Sequence, residues 1–131
     1  MIGIVVVTHD RLAEELVSAA RTILGELPDV AAVSIGWSDD VDAARASIER
    51  AIAEVGGDAT LILTDMFGGT PTNVSLSFLS ARVEIVTGVN LPMLIKAAGR
   101  RDGPLVDLAR VMQEQGRESI VVASGILERP T

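Results

Sequence analysis

His9 is the only histidine in the sequence, and it follows directly on the apolar run Ile4-Val5-Val6-Val7 and Thr8. Near neutral pH an imidazole offers a neutral, nucleophilic nitrogen. A second apolar run, Leu61-Ile62-Leu63, ends in Thr64-Asp65-Met66-Phe67-Gly68-Gly69-Thr70-Pro71. Asp65 is the natural orienter of the imidazole. A carboxylate that accepts the proton of one ring nitrogen fixes the tautomer and leaves the other lone pair outward. It also offsets positive charge on the ring once that second nitrogen is substituted. An aspartate at a strand end can equally cap the following turn, and the two roles are compatible. Gly68 and Gly69 let backbone N–H groups approach an anion, a helix starting at Pro71 brings its positive end, and the Thr70 hydroxyl can donate. Nucleophile, orienting carboxylate and anion cradle describe a site for one phosphoryl group on a histidine.

Other chemistries fit these residues poorly. A metal site lacks ligands, with no second histidine and no cysteine to join Asp65, and no cofactor is expected. There is no G-x-G-x-x-G and no G-x-x-x-x-G-K-[ST], and Lys96 is the only lysine. Ser75 and Ser77 fall inside a helical pattern and not in a G-x-S-x-G elbow. The balance of 11 Lys and Arg against 18 Asp and Glu, a net charge of −7, argues against a nucleic-acid groove. The adjacent Arg100 and Arg101 read as solvent-exposed. The absence of cysteine removes disulfides and thiol chemistry and suits the cytoplasm. Met1 runs straight into the first apolar strand, so no signal peptide is expected. No apolar stretch approaches the roughly 20 residues of a membrane span.

The elements that must position these residues alternate. The pattern predicts a strand over 2–7, a helix over about 10–26, a strand over about 30–35 and a helix opened by Ser38-Asp39-Asp40 and stopped by Gly56-Gly57. A strand over 59–63 and a helix from Thr70 to about Leu79 follow, with Thr70 as cap and Pro71 in the first helical position. Then come a strand over 83–86, a short helix over about 91–98 and a helix from about Leu105 to Gln115 ended by Gly116. Asp10 is placed as the cap of the first helix, with Leu12, Leu16, Ala19, Ala20, Ile23, Leu24 and Leu27 on its inner face. Ser119-Ile120-Val121-Val122-Ala123 reads as a fifth strand. Alternation of this kind implies a three-layer α/β/α domain over 1–131 with a mainly parallel four-stranded sheet. His9 and Asp65 then lie at the carboxyl ends of strands, where ligands collect in open α/β sheets. The fifth strand could add at an edge, and pairing it with another subunit would cover an exposed apolar ladder. Trp37 reads as edge packing, and Asn90 as a turn or site residue.

Three segments in order, Ile-Val-Val-Val-Thr-His at 4–9, Thr-Asp-Met-Phe-Gly-Gly-Thr-Pro-Thr-Asn at 64–73 and Gly-Val-Asn-Leu-Pro-Met-Leu at 88–94, resemble the mannose/fructose-family enzyme IIA of the bacterial phosphoenolpyruvate-dependent sugar phosphotransferase system. The resemblance implies that His9 is phosphorylated on Nε2 by phospho-HPr, with Asp65 holding Nδ1. Phe67, Gly68, Gly69 and Thr70 would bind the phosphoryl group, and a histidine on an enzyme IIB would accept it for sugar uptake. It further implies a homodimer with an exchanged C-terminal strand, and membrane association only through sugar permease partners. Asp10 stands where many members of that family have glycine; its carboxylate either repels a phosphoryl group or caps the first helix. No IIB domain lies within the 131 residues, so the acceptor is expected on another polypeptide. The same site would serve a regulatory phosphotransferase-system protein whose His9 phosphorylation state controls a partner without transport. The phosphotransfer subunit of dihydroxyacetone kinase has a similar fold but usually lacks Gly-Gly-Thr-Pro.

Overall fold

The apolar run at the start of the chain becomes the central strand of the sheet. In the computed structural model, which describes residues 1–130, β1 (Ile2–His9) lies between β2 (Val30–Ile35) and β3 (Ala59–Thr64), and β4 (Val83–Thr87) flanks β3. The order is β2-β1-β3-β4, and all three pairings are parallel. β1 is buried on both faces, as a strand covered by helices on each side requires. Ile2, Ile4 and Val6 pack beneath α1 (Leu12–Leu24), α4 (Leu91–Ala98) and α5 (Leu105–Glu118). Val5 and Val7 point the other way, toward α2 (Val41–Val55) and α3 (Thr70–Ser75). The expected three-layer α/β/α domain with a parallel four-stranded sheet is thus the observed one.

The chain leaves β1 for the β2 side and then returns across to β3. The helices therefore change faces between α1 and α2, and the sheet has its switch point between the carboxyl ends of β1 and β3. Ligand sites in open parallel sheets form at such a crevice. His9 ends β1, and Asp65 immediately follows β3.

Several local expectations are corrected. Asp10 does not cap α1. It adopts φ +48°, and Thr8 instead accepts the Ala13 amide through Oγ1 at 2.6 Å. The inner stripe of α1 is Ala13, Val17 and Ala20, while Leu12, Ile23 and Leu24 are exposed. The apolar residues flanking the stripe made it look rotated. Thr70 is the first residue of α3 and not its cap: Gly69 occupies the cap position, with no side-chain bond. α3 is also short, passing at Leu76–Phe78 into a 3-10 turn. Arg101 is buried, its guanidinium donating to the carbonyls of Ala98 and Pro28.

Gly116 does not end α5, which continues to Glu118. A Cβ at this position would lie 2.7 Å from Met93 Sδ, so the glycine serves the close approach of α5 to α4. The predicted fifth strand at 119–123 does not exist within the single chain. Ser119 and Ile120 remain tied to the helix end through amide bonds to Gln115 and Arg117, and a 3-10 turn follows at Ala123–Gly125. No linker remains to return the segment to a sheet edge, and a strand without a ladder partner is unstable in water. Ile120, Val122, Ile126 and Leu127 are left exposed.

Candidate functional site

The site grows out of two strand ends held together by one carboxylate. Asp65 Oδ2 accepts the backbone N–H of His9 at 2.9 Å and lies 2.8 Å from its ring Nδ1. Oδ1 accepts the Met66 amide at 3.0 Å. Asp65 therefore organises its own turn and holds the imidazole at once. With a carboxylate as its partner, Nδ1 carries the proton and the Nε2 lone pair is free. The pair is largely sheltered, with side-chain exposures of 14% for His9 and 13% for Asp65.

The glycine-rich turn closes on the other edge of the ring. A Cβ added at Gly69 would sit 2.5 Å from His9 Cε1 and 2.9 Å from Nε2. Only a glycine lets the main chain come this near the free nitrogen. Gly68 takes φ +96°, a left-handed conformation suited to glycine. Its carbonyl accepts Asn73 Nδ2 at 3.3 Å, and the Gly69 carbonyl accepts the Asn73 amide at 2.9 Å. Thr70 is exposed, and its hydroxyl has no hydrogen-bond partner among the described residues. Phe67 is exposed and lines the groove along β4 and α5. The structure thus brings His9, Asp65 and Gly69 into contact, places Gly68 and Thr70 on either side, and leaves Phe67 at the rim.

Two neighbours, Thr72 and Trp37, were not legible as parts of this site, and Asp10 takes a role other than the two expected of it. Thr72 is fully buried and bonds to both the Met66 carbonyl and Thr64 Oγ1, so it anchors the base of the 65–70 turn. A Thr in the first turn of a helix, two residues after Thr70, was the only signal for it. Trp37 is not edge packing: its indole stacks on the His9 ring, with centroids 4.4 Å apart and planes at 24°. Asp10 accepts the indole N–H through Oδ2 at 2.6 Å. Asn90 is the cap of α4, accepting the Met93 amide at 3.0 Å. Among the described residues no group of three or more His, Cys, Asp or Glu side chains could hold a metal ion. No helix there is long and apolar enough to cross a membrane.

The EIIA-man family model, described as the PTS system fructose IIA component, matches residues 3–112. The chain belongs to this family. It is 36% identical over 129 residues to the mannose-specific EIIAB component of the phosphotransferase system of Escherichia coli K12, covering 91% of this chain and 38% of that protein. It therefore spans well under half the length of that relative. It is 28% identical over 133 residues to the fructose-specific EIIA component of Bacillus subtilis 168, covering 98% of this chain and 91% of the relative. The mannose/sorbose-specific IIA subunit from Enterococcus faecalis superposes with a TM-score of 0.86 at 30% identity, covering 98% and 96% of the two chains. This member of the IIA family carries its histidine–aspartate pair at the switch point of the sheet, with the glycine turn of the second motif against the imidazole.

Proposed function

We propose that this IIA-family chain is a phosphocarrier that takes a phosphoryl group from phospho-HPr on His9 and passes it to a histidine of an enzyme IIB on a sugar-uptake route. The observation that carries the proposal is the fixed imidazole: Nδ1 faces Asp65 Oδ2 at 2.8 Å, which leaves Nε2 as the nucleophile beside Gly69. In the forward step the Nε2 lone pair attacks phosphorus as the donor's P–N bond breaks, and the donor imidazole leaves with the bonding electrons. The His9 ring gains positive charge, which the Asp65 carboxylate offsets while its hydrogen bond keeps the Nδ1 proton in place. Transfer to enzyme IIB is the same displacement with His9 as the leaving group. Because Gly69 abuts Nε2, we assign the amides of the Phe67–Thr70 turn and the Thr70 hydroxyl to the phosphoryl oxygens.

Incubation with enzyme I, HPr and phosphoenolpyruvate, followed by intact mass, tests the reading. One acid-labile phosphoryl group per chain is expected, and none on His9→Gln. Labelling that persists in the variant overturns the assignment.

A homodimer with the C-terminal segment exchanged belongs to the same proposal. β4 is an edge strand with one side unpaired. Along it and α5 runs an open groove of about 670 Å³, lined by Ile85, Val86, Met112 and Ile120. The apolar segment beyond α5 finds no cover in its own chain, and a two-fold exchange would bury it in a closed assembly. Sedimentation at micromolar concentration tests this: a monomer overturns it without touching the chemistry at His9.

A further inference from the structure

Trp37 lies in the turn after β2, 28 positions from His9 in sequence, and its indole nevertheless covers one face of the imidazole. As a residue Trp37 is 76% exposed. A large aromatic group that stays in water on its outer face needs a restraint if it is to keep one orientation, because rotamer freedom opposes it. Asp10 supplies that restraint through the 2.6 Å bond from the indole Nε1–H to Oδ2. Asp10 is itself fixed by the bond from its amide to the Ile35 carbonyl, 2.8 Å, and by a left-handed backbone, φ +48°. Left-handed backbone is uncommon outside glycine, and Asp and Asn are among the residues that tolerate it best. The residue after the histidine thus turns back to brace a ring arriving from the neighbouring strand end.

The His9 ring is then held on three sides. Asp65 fixes the Nδ1 edge, Gly69 abuts the Cε1–Nε2 edge, and Trp37 closes one face. The hydrogen bond to Asp65 restrains the ring along one direction but still permits rocking about that axis. A stacked plane opposes that rocking. An aromatic face also attracts positive charge, which the ring gains when Nε2 is substituted.

We infer that Trp37, tethered by Asp10, is a positioning residue that keeps the His9 imidazole aligned for phosphoryl transfer and stabilises the ring when Nε2 is substituted. The inference rests on the phosphocarrier reading above. Asp10 accordingly acts as a tether and not as a helix cap, and its carboxylate is engaged by the indole N–H.

The test exploits the presence of one histidine and one tryptophan in the chain. In proton NMR of the full-length protein, the His9 Cε1–H and Cδ2–H resonances should be displaced upfield by the indole ring current. They should move downfield in Trp37→Ala and stay upfield in Trp37→Phe. Unchanged imidazole resonances in Trp37→Ala would refute the stack. Phosphorylation rates are then measured with two donors, phospho-HPr and the small molecule phosphoramidate. Trp37→Ala should slow both by about 3- to 10-fold, the population shift that one aromatic pair sustains, and Trp37→Phe should recover most of that loss. Asp10→Asn keeps an acceptor oxygen and a residue suited to the left-handed backbone, and should transfer within about 2-fold of the unsubstituted chain; Asp10→Gly keeps the backbone, loses the tether and should fall by about 2- to 5-fold. A loss seen with phospho-HPr alone would make Trp37 a docking residue and overturn the inference. Equal rates for Asp10→Asn and Asp10→Gly would overturn the tether. Failure of the unsubstituted chain to accept phosphate from either donor would strike the phosphocarrier reading instead, and the NMR comparison would still decide whether Trp37 aligns the ring.

Discussion

The strand-end site and the segment after α5 are both short runs with few helix-forming interactions of their own, yet they are held very differently. The turn at 65–70 is saturated with local bonds: Asp65 to His9 and Met66, Thr72 to Met66 and Thr64, Asn73 to Gly68 and Gly69. Among the described residues, the segment from Ser119 onward keeps only bonds that are local in sequence, none of them to the sheet, and exposes Ile120 by 80% and Val122 by 74%. One region is complete within a single chain; the other has the composition of a strand without a ladder. Chemistry at His9 should therefore be a property of the protomer, and assembly a property of the tail, with little leakage between them.

Three substitutions and one truncation would break or sharpen that separation. The largest effect belongs to His9→Gln, which should abolish phosphoryl acceptance while leaving the oligomeric state unchanged, as read by intact mass and sedimentation. Asp65→Asn comes next. The amide can occupy the same space but neither fixes the tautomer nor offsets ring charge, and a loss of roughly 10²–10⁴-fold in transfer rate is expected. Since Oδ2 also accepts the His9 amide, circular dichroism and the melting curve should accompany the kinetics; a rate near that of the unsubstituted chain would reduce Asp65 to a turn cap. Deleting residues 119–131 should leave a monomer and keep its phosphorylation within about 10-fold, because second-order effects of lost buttressing are small beside loss of a positioned group. Abolished phosphorylation in a folded truncation would show that the tail reaches the site. The smallest effect is expected for Thr72→Val, which keeps the shape and removes the hydroxyl bonds to Met66 and Thr64. It should cost about 1–3 kcal/mol in denaturant unfolding, the penalty for stranding buried partners, with a modest slowing of transfer.

The parts of the molecule that were readable from sequence are those in which one chain segment carries its own signal. Ile4–Val7 and Leu61–Leu63 are continuous apolar runs of strand length, and the residues immediately after them had to emerge at one edge of a parallel sheet. His9 and Asp65 therefore belong at one sheet edge by sequence alone, and the structure brings them within 2.8 Å of each other. Trp37 was not, because its contact depends on how the turn after β2 bends back over β1, a tertiary choice with no local periodicity. Gly116 misled because a glycine near a helix end signals termination as readily as close packing; only the proximity of Met93 distinguishes the two. Leu12, Ile23 and Leu24 misled because apolar side chains at the margins of an amphipathic stripe rotate its apparent centre. Ser119–Ala123 has strand composition, but composition alone cannot say which chain provides the partner.

Arg101 fastens the opposite end of the sheet. Its guanidinium donates to the carbonyls of Pro28 and Ala98, while its own carbonyl receives the Ile2 amide at 2.9 Å and the Asp29 carbonyl receives the Ile4 amide at 3.0 Å. The loop before β2, the end of α4 and the first residues of β1 are thus sewn into one block beneath the sheet. Amide hydrogen exchange along the central strand should consequently be graded, with Ile2 and Ile4 among the last protons released and the residues near His9 exchanging through smaller openings. Such a gradient would leave the His9 end free to open locally while global opening is resisted from the far end of the strand.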